Sequence, residues 1–212
     1  MLCPRADIVL FRDRPGAPYG TKSRPELMKL VTHDIEALTD RGATKILMAC
    51  CTASTLHREL DSALREVSIP IIEPTARAAA KLTKNGRIGV IATNTTVNSG
   101  AFSKALSEID PSLLVTEWQA QSLVSLVEGG ARDGLLSDED IQKVRDALSG
   151  VMRSDIDTLI LGCTHFPLIE GTISQLLPGI KTVSSAKEGA RAVLPCQVGA
   201  GKTIYIENKP KR

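Results

Sequence analysis

Residues 158–165 read TLILGCTH, a strand-length apolar run that ends in a glycine and Cys163. Residues 45–52 read KILMACCT and repeat this construction, with Cys50 after a small residue. Short continuous apolar runs are typical of buried parallel strands. Ligands bind at the carboxyl ends of such strands, so each segment predicts a thiol at a ligand-binding edge. About half of the chain separates the two cysteines, which suggests two similar halves that share one cleft.

The rest of the chain alternates strand-length runs with amphipathic stretches of helical length. We predict strands at Ile8–Phe11, Lys45–Ala49, Ile69–Ile72, Arg87–Ala92, Leu113–Thr116, Asp157–Leu161, Ile180–Val183 and Thr203–Ile206. We predict helices at Arg24–Thr39, Ala53–Glu66 and Asp138–Met152, and shorter ones at 75–83, 99–108, 121–128, 167–177 and 186–194. This alternation predicts an α/β fold with parallel sheets. The duplicated strand and cysteine unit predicts two pseudo-symmetric α/β domains with the active site in the cleft between them.

The composition argues against several classes of function. The 212 residues are 42% apolar and 24% charged, with a net charge of +2, which is the balance of a folded globular protein. Aromatic residues make up only 3%, so we predict no nucleic-acid partner. No apolar run approaches the ~20 residues of a membrane span. The N-terminal stretch has no signal-peptide core, so we expect a cytoplasmic protein without a membrane partner.

The five cysteines are expected to be free thiols of a reducing compartment. They form no CxxC pair, and the three histidines show no zinc-ligand spacing to them, so we predict no metal site. Cys50 and Cys163 differ from the other cysteines because each lies where a strand gives way to a helix. A helix N-terminus favours the charged thiolate, so both thiols are expected to be activated.

Two thiols on opposite sides of one carbon atom can invert a stereocentre by acid/base chemistry alone. One of them, as thiolate, removes a proton, and the other, as thiol, delivers a proton to the opposite face. This chemistry requires neither a redox cofactor nor a metal. Thr52, Thr164 and His165 directly follow the two strand-end cysteines, where their side chains can hold a carboxylate or assist a thiol.

Five segments add a more specific signal: PYGTKS at 18–23, ACCTAS at 49–54, RIGVIATNTTVNSGAF at 87–102, LVSLVEGG at 123–130 and GCTHFPL at 162–168. In order and approximate spacing they resemble the signature segments of glutamate racemases, which belong to the aspartate/glutamate racemase superfamily. The resemblance extends from about Ala6 to Ala190. The cysteine segments at 49–54 and 162–168 carry most of it, because the two together are far more specific than either alone.

The resemblance implies an isomerase that interconverts L-glutamate and D-glutamate without a cofactor and supplies D-glutamate for peptidoglycan precursors. It implies that the catalytic residues are Cys50, Cys163 and His165, which assists the second thiol. The substrate-binding residues implied are Tyr19, Gly20, Cys51, Thr52, Thr164 and His165. The family's C-terminal segment returns to the first domain, so we expect one domain of 1–74 plus 184–212, a second of 75–183, and a homodimer.

The chain departs from the family pattern in four places. It contains no Asp-Ser-Gly loop, whose aspartate is expected to assist the first cysteine; Cys51 replaces an asparagine; Ser184 and Ser185 replace Asp-Ser; and the segment at 11–20 is altered. Two alternatives therefore stay open. One is another reaction of the superfamily, the racemisation of aspartate or of a hydantoin. The other is a truncated, catalytically weak protein that binds an amino acid or a protein partner.

Overall fold

The described part of the chain is an α/β structure of eight strands in three parallel sheets. The computed structural model describes residues 6–194 and 199–208. The strands are β1 (Ile8–Asp13), β2 (Ile46–Met48), β3 (Ser68–Pro70), β4 (Arg87–Ala92), β5 (Leu114–Gln119), β6 (Thr158–Gly162), β7 (Lys181–Ser184) and β8 (Thr203–Asn208). Each of the eight predicted strands overlaps one of these.

Eleven α-helices connect the strands in the described part of the chain. They are α1 (Arg24–Thr39), α2 (Cys51–Ser54), α3 (Ser62–Val67), α4 (Ile72–Leu82), α5 (Asn94–Ser99), α6 (Ala101–Ile109), α7 (Gln121–Glu128), α8 (Asp138–Ala147), α9 (Ser149–Met152), α10 (Glu170–Leu176) and α11 (Ser185–Ala192). Short 3-10 turns occupy Tyr19–Thr21, His57–Glu59 and Phe166–Ile169. None of the helices in this described part combines the length and apolar character needed to cross a membrane.

The larger sheet has the strand order β5-β4-β6-β7, and all neighbours are parallel. Its central strands β4 and β6 are almost entirely buried, as expected for a parallel sheet covered on both faces. One apolar cluster contains Leu123 and Phe166, and a second contains Ile72 and Phe102. The strand ends of this sheet are therefore held by a packed core.

The remaining strands form two separate pairs. β2 pairs with β3, and α1 packs its buried residues Leu27, Val31 and Ile35 against this region. β1 pairs with β8, which brings the end of the described chain back to its first strand. The domain boundaries at 74 and 184 stay a prediction.

Several predicted helices have different limits in the structure. The segment 167–177 starts as the 3-10 turn Phe166–Ile169 and continues as α10. The segment 53–66 is not one helix, because Leu60 has an extended backbone (ψ 153°) and Asp61 begins the separate helix α3. The segment 138–152 divides into α8 and α9 at Leu148. The segment 99–108 begins late, because Gly100, with φ +60°, separates α6 from an additional helix, α5.

Candidate active site

Both strand-end cysteines lie where the sequence pattern predicts them. Cys50 immediately precedes α2, two residues after β2 ends, and Cys163 directly follows β6. Gly162 explains why β6 needs a small last residue: an added Cβ would lie 2.9 Å from the Ile91 carbonyl oxygen of the neighbouring strand. Close packing of β6 on β4 therefore fixes the start of the Cys163 segment.

The Cys163 thiol belongs to a chain of three polar groups. Its Sγ lies 3.4 Å from Nδ1 of His165, and Nε2 of the same ring lies 3.5 Å from Oε1 of Glu128 at the end of α7. This arrangement supports the role of His165 beside Cys163. It also adds a carboxylate that orients the ring.

Burial raises the pKa of Cys163 to about 12, and the nearby Cys50 and Glu128 act in the same direction, while a hydrogen bond from the His165 backbone opposes them. Burial also raises the pKa of Cys50, against hydrogen bonds from the Ala53 and Thr52 backbones and the Thr52 side chain. The N–H groups expected at this strand-to-helix junction are present, but burial outweighs them. The expectation of activated thiolates is therefore wrong for the unliganded protein, in which both groups are thiols near neutral pH.

Beside Cys50, three buried threonine hydroxyls contact one another. Oγ1 of Thr52 lies 3.0 Å from Oγ1 of Thr93 and 3.1 Å from Oγ1 of Thr96, and the last two are 2.9 Å apart. Thr93 and Thr96 follow β4, so the cluster links the first cysteine segment to the end of a strand in the larger sheet. The Thr52 side chain also hydrogen-bonds to Cys50, so the cluster fixes the hydroxyl that contacts that thiol.

The predicted substrate-binding residues fall into two groups. Gly20 packs against the threonine cluster, because a Cβ added to it would lie 3.2 Å from Thr93. Its carbonyl oxygen accepts a 2.6 Å hydrogen bond from Oγ1 of the neighbouring Thr95. Thr164 is half-buried beside Cys163, and its hydroxyl has no hydrogen-bond partner among the described residues.

The side chains of Cys51 and Tyr19 lie in surroundings different from those of Gly20 and Thr164. Cys51 is 2% exposed in the apolar cluster with Ile72, where burial raises its pKa well above the ordinary value. The Tyr19 hydroxyl lies 2.6 Å from Asp34 and 3.0 Å from Asp13, in the first half of the molecule. The Cys51 sulfur lies near the Ser185 hydroxyl and both strand-end thiols, whereas the two aspartates hold the Tyr19 hydroxyl.

Sequence reasoning singled out neither Glu128 nor Thr93 and Thr96. All three lie in segments that carry the family resemblance, at 87–102 and 123–130. Glu128 had one visible signal, because a carboxylate in the last turn of a helix is disfavoured by the helix dipole unless another group compensates. The threonines had no such signal, since their contact with Thr52 joins residues more than 40 positions apart.

Two observations concern other kinds of site. A cavity of about 690 Å³, lined by His57, Glu73, Arg77 and Lys81 among others, does not include either strand-end thiol. Within residues 6–194 and 199–208, no group of three or more His, Cys, Asp or Glu side chains is arranged to hold a metal ion.

Comparison with known proteins gives this geometry a family. The sequence pattern of the Asp/Glu/Hydantoin racemase family matches residues 6–193. The chain belongs to the Asp/Glu/Hydantoin racemase family. The family resemblance carried by the sequence segments is thereby confirmed.

Curated relatives in this family include glutamate racemases. That of Geobacter metallireducens is 38% identical over 195 residues, covering 90% of this chain and 70% of the relative. That of Exiguobacterium sibiricum is 34% identical over 212 residues, covering 98% and 76%. The match extends across nearly the whole chain, including both cysteine segments.

Solved structures agree with the fold. A glutamate racemase isoform of Bacillus anthracis superposes with a TM-score of 0.83 at 33% identity, covering 97% of this chain and 78% of that one. The glutamate racemase of Thermus thermophilus, solved in complex with β-chloro-D-alanine, gives 0.79 at 30% identity, covering 99% and 80%. The two-part α/β architecture predicted from the sequence is therefore confirmed.

Proposed function

We propose that this protein racemises glutamate, with Cys50 and Cys163 as the two acid/base groups. The observation that carries the proposal is the matched position of these thiols, each at the carboxyl end of a strand and close enough that Cys50 raises the pKa of Cys163. The glutamate racemases among its relatives support the choice of substrate.

In the proposed reaction, the Cα atom of glutamate lies between the two sulfur atoms. One thiolate takes the α-proton, and the opposite thiol gives its own proton to the other face of the same carbon. Two bonds to hydrogen thus break and two form, and the charge moves from one sulfur to the other. Catalysis in the reverse direction uses the same groups with their roles exchanged.

The raised pKa values require the substrate complex to generate the active thiolate. A glutamate ammonium group beside a buried sulfur favours the charged form of that sulfur. On the Cys163 side, His165 and Glu128 can accept or return the thiol proton through the imidazole. On the Cys50 side, the available partners are N–H groups and the Thr52 hydroxyl.

Further parts of the proposal follow from the same family membership. We infer that Gly20, Thr52 and Thr164 help to bind the substrate, that the reaction requires no cofactor, and that the D-glutamate serves peptidoglycan synthesis in the cytoplasm. We also propose a homodimer, supported by the exposed apolar side chains Leu10 and Tyr205 on the β1 and β8 pair. Sedimentation velocity tests the dimer, and a monomer at micromolar concentration would contradict it.

Circular dichroism of L- and D-glutamate, without added cofactor, tests the activity. We expect both enantiomers to approach the same racemic end point. Aspartate is one methylene shorter, so its kcat/KM is expected to be ~10–200-fold lower. Faster turnover of aspartate or of a hydantoin would identify a different racemase, and glutamate binding without turnover would identify a binding protein.

A further inference from the structure

The Tyr19 hydroxyl contacts more acceptors than one proton can serve. Its oxygen lies 2.6 Å from Oδ2 of Asp34 and 3.0 Å from Oδ2 of Asp13. A phenol has a single proton and donates one hydrogen bond. If both carboxyl groups were ionised, one of these contacts would place two unshared oxygen lone pairs against each other within a partly buried cluster.

The other partners of the two carboxyl groups show where a second proton belongs. Oδ1 of Asp13 accepts hydrogen bonds from the Gly16 backbone (3.2 Å) and from Asn208 Nδ2 (3.1 Å), so Asp13 has the donors that an ionised carboxylate needs. The Asp34 side chain is 18% exposed, and among the described residues its one other side-chain hydrogen-bond partner is His33, at 3.3 Å. A protonated Asp34 that donates to Tyr19, which then donates to Asp13, satisfies every group.

The groups that act on Asp34 come from three elements among the described residues: Asp13 on β1, Tyr19 in the 3-10 turn and His33 on the same helix. Burial raises the pKa of Asp34, and the charge of Asp13 adds to this, whereas hydrogen bonds from Tyr19 and His33 oppose them. The raised pKa of Asp34 agrees with the hydrogen bonds above, in which the additional donors contact Asp13 and not Asp34.

This cluster holds one end of a short bridge between the two parts of the molecule. Tyr19 also packs against the apolar cluster of α1 and β2. The next residue, Gly20, accepts the hydrogen bond of Thr95 and lies against Thr93 of the threonine cluster. The Tyr19 side chain is thus held beside α1, while the Gly20 backbone contacts the first turn of α5, next to the threonine cluster that adjoins Cys50.

We propose that Asp13 and Asp34 are positioning residues that share one proton with Tyr19 and thereby hold the Tyr19–Gly20 segment at the active site. Loss of that proton at higher pH places two carboxylates on one phenol and loosens the segment. The link to turnover rests on the proposed racemase function. The shared proton itself does not.

The first test measures thermal unfolding from pH 5 to 9, which needs no activity. A carboxyl group with a raised native pKa gives stability that is fully present below its unfolded value of ~3.9 and is lost as the pH rises through the native value. Asp34→Asn keeps a neutral group of the same shape, so the loss with rising pH should be smaller in this variant than in the wild type. Asp40→Asn, an exposed change at the end of the same helix, should follow the wild type. Parallel curves for wild type and Asp34→Asn would overturn the proposal.

Two further measurements sharpen the result. The comparison is repeated in a His33→Asn background, and the pH-dependent difference should persist, since burial and the charge of Asp13 cause it. Its disappearance would assign the effect to His33 and overturn the proposal. In kcat/KM for glutamate, Asp34→Asn should stay within ~3-fold of wild type at pH 7 and exceed it at pH 9, whereas Tyr19→Phe should lose ~10-fold at both. An Asp34→Asn profile parallel to wild type would contradict the positioning role. If no variant racemises glutamate, the proposed function fails, and the unfolding curves still decide the shared proton.

Discussion

Glu128 is a residue that the structure adds to the candidate site. It lies at the end of α7 and contacts the ring nitrogen of His165 that points away from Cys163. A carboxylate in this position fixes the orientation of the ring beside the Cys163 thiol. We therefore expect Glu128 to act through His165.

Replacement of Glu128 with glutamine should lower kcat more than it changes KM. We expect a loss of ~10–100-fold, below the ~10²–10⁴-fold of a direct general acid or base. The matched control is Glu139→Gln, because the side chain of Glu139 is 81% exposed on α8 and only pairs with Lys143. Equal effects of the two changes would remove Glu128 from the site.

The second prediction for a single residue concerns the reactivity of Cys163. Only the thiolate reacts readily with iodoacetamide, and burial holds the pKa of Cys163 at about 12. The alkylation rate, followed by mass spectrometry of the peptide that contains Cys163, should therefore rise by ~10-fold per pH unit from pH 7 to 10. A plateau below pH 9 would show an activated thiolate in the unliganded protein.

At the scale of elements, the turn before β4 depends on one carboxylate. Asp157 accepts hydrogen bonds from Thr83 Oγ1 (2.7 Å) and from the Lys84 and Asn85 backbones (2.6 and 2.9 Å). Burial alone would raise its pKa, but these bonds and one from Thr158 outweigh it and lower the pKa to about 2. Such a group contributes stability above the unfolded value of ~3.9 and loses it as the pH falls toward 2.

Asp157→Asn should lower the free energy of unfolding at pH 7 by about 1–2 kcal/mol. This figure is smaller than the pKa shift alone implies, because solvent screens a partly exposed charge. The difference from wild type should shrink as the pH falls below ~4 in urea unfolding. The control, Asp155→Asn, removes a 72% exposed partner of Arg87 and should cost less than ~0.5 kcal/mol. A difference that does not change with pH would mean that the turn does not depend on the charge of Asp157.

The elements also show which parts of the fold were predictable. Strands such as β6 are short, fully buried runs of apolar residues, a pattern typical of a parallel strand. Their positions therefore followed from the sequence. The segment 53–66 did not, because Leu56 and Leu60 have helical spacing yet are buried through a turn and a break. Local periodicity reports which residues are buried, whereas the backbone between them depends on the surface that they pack against.

The candidate site divides in the same way. Cys50, Cys163 and His165 were predicted because strand ends and helix starts are local features of the sequence. The contact of Glu128 with His165 and the threonine cluster were not, because each depends on how distant segments meet. The pKa of each thiol was also beyond sequence reasoning, since it depends on burial that only the folded chain sets.

At the scale of the whole molecule, the two halves meet closely around the thiols. Hydrogen bonds from Thr95 to Gly20 and between Thr52 and Thr93 join them, and Cys163 is only 7% exposed. Cys50 is half-buried, so we expect a substrate to approach from its side and to reach Cys163 through a movement that parts these contacts. Enclosure then removes water from the thiols, which strengthens the electrostatic effect of the bound ammonium group.

The central claim is that each half supplies one acid/base thiol to the same carbon atom. The most direct test is incorporation of deuterium at Cα in ²H₂O, measured together with racemisation, for Cys50→Ser and Cys163→Ser. Each variant should lose more than the ~10²–10⁴-fold typical of one general acid or base, because each thiol is needed in both directions. Each should retain α-proton exchange for at most one enantiomer, and the two variants for opposite enantiomers. Racemisation at the wild-type rate by either variant, or exchange of the same enantiomer by both, would contradict the two-thiol mechanism.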